Sequence, residues 1–172
     1  MTHCFSRRSF LKGSAAAAAA LTSPLLPADA AFSETENGLF SPVSVLCQTQ
    51  YGPVRGREGK NGLLCWYGIP YGAAPTGESR WTAPQEPACW LTVRDCTSPA
   101  PAAYQYTTFP LGTEDCLTLD VYSSSDAKKR PVLVYLHGSA ATGSSLELPG
   151  CELVRDAGCV FVALNYRLGL FG

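Results

Sequence analysis

The chain has 172 residues, of which 46% are hydrophobic and 10% aromatic, a composition that fills one globular core at most. Its basic and acidic residues nearly balance and leave a net charge of −1. That balance excludes the strongly basic proteins that bind nucleic acid by releasing counterions from phosphates.

Residues 1–30 have the pattern of a twin-arginine export signal. Arg7 and Arg8 precede a weakly apolar, alanine-rich stretch, and the small residues Ala28 and Ala30 suit a signal peptidase. The alternative, a membrane anchor, needs about 20 predominantly apolar residues, whereas two prolines interrupt this stretch. We therefore predict cleavage after Ala30, transport by the Tat export machinery, no stable membrane anchor, and a periplasmic or secreted location.

The cysteines predict thiols rather than a metal site. Of the eight cysteines, Cys4 lies in the signal, so an odd number enters the oxidising compartment and at least one thiol lacks an internal partner. Residues 31–172 contain no C-x-x-C pair and a single histidine. We expect neither a metal nor a cofactor.

The first predicted elements form a small antiparallel hairpin over residues 43–69, with turns at Gly52-Pro53 and Asn61-Gly62. A long loop rich in proline and glycine, residues 69–110, follows, and Trp81 and Trp90 are expected to fix it to the surface. Residues 117–122 then alternate between apolar and polar, which predicts a strand that buries the face of Leu117, Leu119 and Val121.

Two later runs, residues 132–136 and 159–164, are apolar without alternation, as in strands buried on both faces of a parallel sheet. Residues 148–157 between them begin near a proline and end at Gly158, which predicts a crossover helix. The pattern indicates an α/β fold with a hairpin and a mixed or parallel sheet. The second apolar run is expected to be an exposed parallel edge.

Five motifs in one order strongly resemble the type-B carboxylesterase and cholinesterase-like family. They are Gly68-Ile69-Pro70-Tyr71-Gly72, Arg80-Trp81-Thr82-Ala83-Pro84, the run from Glu114 to Tyr122, His137-Gly138 and Asn165-Tyr166-Arg167-Leu168-Gly169. The resemblance implies that residues 31–172 are the N-terminal part of an α/β-hydrolase domain. It covers roughly the first third of such a domain and stops before the G-x-S-x-G turn that carries the nucleophile.

The resemblance implies one catalytic part, the oxyanion loop, whose candidates are Gly138, Ser139 and Ala140. The family binds the oxyanion with backbone N–H groups of the second and third glycines of H-G-G-G, which match Ser139 and Ala140. The loop looks about one residue shorter than the family pattern. Interpreting Ser139 and Ala140 as ordinary turn residues stays open.

Two residues imitate catalytic groups. Ser79 in Gly77-Glu78-Ser79 resembles the start of a nucleophile turn, but the closing glycine is missing. His137 is a candidate general base because it is the only histidine after the signal. It matches the opening of the family's oxyanion loop, however, and the family's catalytic histidine lies far downstream. The nucleophile, acid and histidine base are therefore absent, and no catalytic set is complete.

Three structural residues follow from the resemblance alone. Glu114 matches the family's partner of the arginine at Arg80, which implies a bidentate ion pair. Cys116 matches one half of the family's first disulfide, whose other half lies where this chain has residues 101–105 without cysteine. Cys116 is thus expected to be free or bonded to a substitute such as Cys96.

Two functions remain in view. The favoured prediction is an N-terminal fragment of an exported serine carboxylic ester hydrolase, inactive alone, whose implied substrate is a small-molecule carboxylic ester. The alternative is a non-catalytic, cholinesterase-like binding or adhesion module. A finished module is expected to protect its last strand rather than expose it.

Overall fold

The computed structural model describes residues 40–148 and 150–172. The twin-arginine pair, Arg7 and Arg8, and the cleavage residues Ala28 and Ala30 lie outside these residues. No helix within the described part is long and apolar enough to cross a membrane.

A mixed sheet of seven strands forms the framework. The strands are β1 (Phe40–Gln48), β2 (Pro53–Gly59), β3 (Leu63–Pro70), β4 (Arg94–Asp95), β7 (Thr118–Ser124), β8 (Val132–Leu136) and β9 (Val160–Leu164). The main path of the sheet runs in the order β1-β2-β3-β7-β9-β8, and β4 pairs with β2 off this path. A separate two-stranded ribbon consists of β5 (Gln105–Tyr106) and β6 (Pro110–Leu111).

The predicted N-terminal hairpin is longer than expected: β1, β2 and β3 form an antiparallel meander of two hairpins. Its second turn contains Asn61 and Gly62, both with positive φ (60° and 71°). Asparagine and glycine tolerate this left-handed conformation better than other residues. Both predicted turns therefore lie between strands.

Strand β7 is covered on both faces, and its more polar face is the more deeply buried one, although Leu117 is buried as expected. Thr118, Asp120 and Tyr122 are the buried residues, whereas Leu119 and Val121 are half-buried. Tyr122 packs edge-on against Tyr67, with ring centroids 5.7 Å apart. The polar residues on this face are buried because side chains and backbone from distant segments satisfy their hydrogen bonds.

The predicted parallel unit is present, with helix α1 (Gly150–Ala157) between β8 and β9. Gly158 ends α1 with φ of 62°, the left-handed geometry common after a helix. The order of the two strands corrects the expected edge. Strand β9 lies between β7 and β8 and is almost fully buried, while β8 is the edge and leaves Leu133 and Leu136 exposed at 45% and 63%.

Both loop tryptophans fix the long segment as predicted. Trp90 donates its indole N–H to the Pro53 carbonyl at 2.9 Å and stacks with Arg94. Trp81 is largely exposed, yet its indole N–H reaches the Leu170 carbonyl at 2.7 Å. The loop is thereby joined to the start of β2 and to the segment that follows β9.

Candidate active site

The oxyanion loop, residues 137–145, leaves the end of β8 and passes over the carboxyl end of β9. Ser139 and Ala140 are absent from the described residues that have positive φ, so their side chains impose no backbone strain. Within the described chain, neither N–H group has an acceptor. The Ser139 hydroxyl instead accepts the N–H groups of Ala141 and Thr142 and closes a tight turn. The loop therefore presents two unengaged donors.

Gly138 precedes these donors and faces open space, since a Cβ built on it would meet nothing within 4 Å. The Ala140 carbonyl is engaged on the other side of the loop, where it accepts the Gly169 N–H at 2.8 Å. The three candidates Gly138, Ser139 and Ala140 thus lie together on one turn.

His137 is buried at the start of the loop, where its ring stacks on Tyr166 with centroids 4.1 Å apart. The Tyr166 hydroxyl lies 3.0 Å from Nδ1 and donates to the His137 carbonyl. Nε2 is buried and has no partner in the described part of the chain. Burial lowers the pKa of His137, an effect that the negative charge of Glu147 opposes. The stacking of the His137 ring on Tyr166 gives this histidine a role in shaping the oxyanion loop. Among the described residues, no serine is hydrogen-bonded to the ring.

A buried polar network holds the far end of the loop. Ser145 donates its hydroxyl to Asp120 Oδ2 at 2.6 Å and its N–H to Asn165 Oδ1 at 2.8 Å. Asp120 Oδ1 accepts the Gly68 N–H at 2.8 Å. Asp120, Ser145 and Asn165 are each 1–2% exposed. Strands β3, β7 and β9 therefore meet the loop at one point through hydrogen bonds.

The third support of the loop is Gln105, which no sequence pattern indicates. Its side-chain Oε1 accepts the Gly143 N–H at 2.9 Å, and its Nε2 donates to the Gly143 carbonyl at 3.0 Å. Gln105 lies in the stretch that drew attention only because it lacks a cysteine. Its burial is visible only in the fold, because a single glutamine between two tyrosines carries no periodic signal in the sequence.

Arg80 and Glu114 form the bidentate pair that the resemblance implies. Arg80 Nε and Nη2 lie 2.6 and 2.7 Å from the two carboxylate oxygens. The guanidinium also lies 5.4 Å from the ring centre of Phe171. Nearby, Arg167 donates to the Thr82 carbonyl. The pair ties the long loop to the segment that precedes β7, and the contacts of Phe171 and Arg167 join the same loop to the segment that follows β9.

Ser79 lies on a single exposed turn of 3-10 helix, Gly77–Ser79. Its backbone makes local bonds to Thr76 and Thr82. No histidine contacts it in the described chain. This geometry offers nothing to activate a nucleophile.

Cys116 is a buried thiol and does not pair with Cys96. Cys116 belongs to a cluster with Ala103, Leu117 and Leu168, whereas Cys96 belongs to a different cluster around Val54. Of the two alternatives left open by the sequence, the structure has the free thiol. Ala103, in the stretch where the family has a cysteine, is 1% exposed beside it.

Replacing Ala103 with cysteine is expected to create a disulfide with Cys116 under oxidising conditions. Closing a loop of this length stabilises a protein by about 3 kcal/mol, because the unfolded chain loses freedom. The measurement is the urea midpoint of the oxidised and reduced variant. Ala103→Ser is the matched control. A pair that stays reduced under mild oxidation would show that the two positions are too far apart.

The rate of alkylation is expected to differ between the exposed thiol and the buried thiols. Burial raises the pKa of both Cys96 and Cys116 to about 11, so at pH 8 roughly one thiol in a thousand is ionised. Cys89 is exposed. Peptide mass spectrometry of the iodoacetamide-treated native chain is expected to show modification at Cys89 at least about a hundredfold faster. Equal rates at the three positions would contradict the described packing; unfolding in urea is the control that equalises them.

Within the described residues, no cluster of three histidine, cysteine or acidic side chains is arranged to hold a metal ion. What the loop offers instead is hydrogen-bond donors. Such donors stabilise an oxygen that becomes negative during a reaction.

Comparison with known proteins agrees with this description. The model of the carboxylesterase family matches residues 43–172, and a model of the twin-arginine translocation pathway signal sequence matches residues 4–24. Para-nitrobenzyl esterase of Bacillus subtilis is 39% identical over 136 residues, which are 72% of this chain and 28% of that protein. Esterase B1 of Culex pipiens is 34% identical over 140 residues, 75% of this chain and 26% of that protein.

Solved structures give the same result. A PNB esterase matches with a TM-score of 0.69 and 38% identity over 74% of this chain and 28% of its own. The carboxylesterase EST55 of Geobacillus stearothermophilus matches with a TM-score of 0.66 and 39% identity over 74% of this chain and 27% of its own. The chain therefore spans little more than a quarter of the length of these relatives.

Proposed function

Because the chain belongs to the carboxylesterase family, we propose that it supplies the N-terminal sheet and the oxyanion loop of an exported serine carboxylic ester hydrolase. The substrate class is a small-molecule carboxylic ester. The chain by itself is catalytically inactive. The twin-arginine signal directs export, cleavage follows Ala30, and the mature part reaches the periplasm or the medium.

The unengaged N–H groups of Ser139 and Ala140 carry this proposal. When a serine attacks an ester carbonyl, the carbonyl oxygen becomes an oxyanion, and fixed backbone donors lower the energy of that state. Here both donors lie on one turn that is supported at three points: by Tyr166, by Gln105 and by the Asp120 network. Because these supports are in place before substrate binds, the donors need no reorganisation during the reaction.

The remaining catalytic groups are not among these 172 residues. No G-x-S-x-G sequence occurs in the chain, and the ring of its only histidine after residue 30 packs against Tyr166. Acyl transfer needs a serine, a base to accept its proton and an acid to orient that base. The loop can stabilise an oxyanion, but it cannot form one.

A chimera tests the proposal. Residues 43–172 replace the aligned segment of the Bacillus subtilis para-nitrobenzyl esterase, and hydrolysis of p-nitrophenyl butyrate is measured. We expect an active enzyme. A second chimera carries Ser139→Gly and Ala140→Gly, and its kcat is expected to differ by less than about tenfold, because backbone donors are already in place.

Two outcomes contradict the proposal. A gain in kcat of about 10² to 10³ on restoring the glycines would mean that the native loop misdirects its donors, since one lost oxyanion donor costs that much. A folded chimera that is inactive even with both glycines would show that this segment does not fit an esterase. The parent esterase serves as the activity control.

A further inference from the structure

The middle of the oxyanion loop depends on one side chain from outside it. Gly143 is buried and has φ of 135°, and a Cβ at this position would lie 2.4 Å from His137 Nδ1. Among the described strands, none pairs with this part of the loop, so the backbone groups of Gly143 need partners from elsewhere. A buried backbone group left without a partner is costly, which makes the source of these bonds important.

Gln105 supplies both partners. Its Oε1 accepts the Gly143 N–H at 2.9 Å, and its Nε2 donates to the Gly143 carbonyl at 3.0 Å. Nε2 also donates to the Ala103 carbonyl at 3.2 Å. Only 3% of Gln105 is exposed. The side-chain amide thus takes the place of a neighbouring strand, bonding donor to acceptor in both directions.

The location of Gln105 connects the loop to a distant hairpin. Gln105 begins the β5–β6 ribbon, in which it pairs with Leu111. The ribbon exposes Tyr106 and Phe109 at 70% and 74%. Any displacement of this ribbon moves the amide that holds Gly143.

We propose that Gln105 is a positioning residue for the oxyanion loop, acting through Gly143 to fix the direction of the Ser139 and Ala140 N–H groups. It does not touch the reacting atoms. The inference rests on the proposed function, because those two N–H groups matter only if the loop binds an oxyanion.

A charged substitution separates this role from a merely structural one. In Gln105→Glu, the second carboxylate oxygen faces the carbonyls of Gly143 and Ala103, where the amide had donated. Ionised, the carboxylate repels both carbonyls. Protonated, its single O–H can restore the bond to the Gly143 carbonyl, although it cannot donate to the Ala103 carbonyl as well. We call the two hydrogen bonds between the residue 105 side chain and the Gly143 backbone the clamp. The variant is therefore expected to lose the clamp at pH 8 and to regain it at pH 5. Gln105→Ala loses it at both.

The measurement is amide hydrogen exchange followed by NMR on the whole chain, expressed as protection factors so that the intrinsic pH dependence cancels. In the unchanged chain, the Gly143 amide is expected to be protected at both pH values. In Gln105→Glu its protection is expected to fall roughly tenfold or more at pH 8 and to recover at pH 5. The amides of β9 serve as a reference for the stability of the sheet as a whole, and their protection factors are expected to stay unchanged.

Gln85→Glu is the matched control, since Gln85 is exposed and its side chain bonds, among the described residues, only to the nearby Ala83 carbonyl. Three results overturn the proposal: an unprotected Gly143 amide in the unchanged chain, a Gln105→Glu variant with no pH dependence, or equal loss in β9. The experiment involves neither an ester nor a serine. An inactive chimera with an intact clamp would remove the proposed function alone, and an active chimera without protection would remove this inference alone.

Discussion

Replacing Asp120 with alanine is expected to destabilise the chain by about 2–6 kcal/mol. The substitution leaves two buried donors without acceptors, the Gly68 N–H and the Ser145 hydroxyl, and each costs about 1–3 kcal/mol. Because Ser145 also ends the oxyanion loop, the loop is expected to loosen. Urea unfolding followed by tryptophan fluorescence measures the loss.

Asp120→Asn is the matched control for this prediction. The amide keeps one acceptor oxygen for Gly68, and its NH₂ can donate to the Ser145 oxygen, so the loss is expected to be smaller. Ser145→Ala removes the other end of the bond and tests the same contact. An Asp120→Ala variant as stable as the unchanged chain would show that the buried network contributes little to the fold.

Changing Arg7 and Arg8 together to lysine is expected to abolish export of a reporter fused to residues 1–30. The paired arginines are read by a receptor, and lysine keeps the charge but not the planar, multiply donating guanidinium. Cell fractionation of a reporter that folds in the cytoplasm measures the effect. The match of residues 4–24 to the signal model is the basis for this expectation.

Lys12→Gln is the control, since it removes one positive charge and leaves the arginine pair intact. Its export is expected to continue. Export of the double-lysine variant at the unchanged rate would contradict a twin-arginine route. Loss of export in the Lys12→Gln variant alone would indicate that the positive charge of this region, rather than the arginine pair, is recognised.

Several elements were predictable because their signals are local. The Asn61-Gly62 turn, the parallel unit around α1 and the glycine after that helix all follow from neighbouring residues. The Arg80–Glu114 pair joins residues 34 apart and was expected only through the resemblance to a family. Local patterns alone do not reveal such a contact.

The errors concern contacts between distant segments. Polarity alone placed Asp120 on the outer face of β7, but its partners are Gly68 and Ser145, which lie 52 and 25 residues away. Chain order likewise made β9 the edge, whereas pairing with β7 places it inside the sheet.

Gln105 was missed for the same reason. Its partner, Gly143, is 38 residues away. A single glutamine between apolar residues carries no periodic signal. Only the folded arrangement shows that its amide replaces a strand.

The central claim is that this chain presents an oxyanion loop without a nucleophile, and covalent labelling tests it most directly. The candidate serines are already engaged or unactivated: Ser145 donates to Asp120, the Ser139 hydroxyl accepts two backbone N–H groups, and Ser79 is exposed on a turn. Incubation with a fluorophosphonate followed by mass spectrometry is expected to show no adduct on any serine, under conditions that label the Bacillus subtilis para-nitrobenzyl esterase completely. Stoichiometric labelling of one serine, abolished by its change to alanine, would show that the chain holds a complete catalytic site.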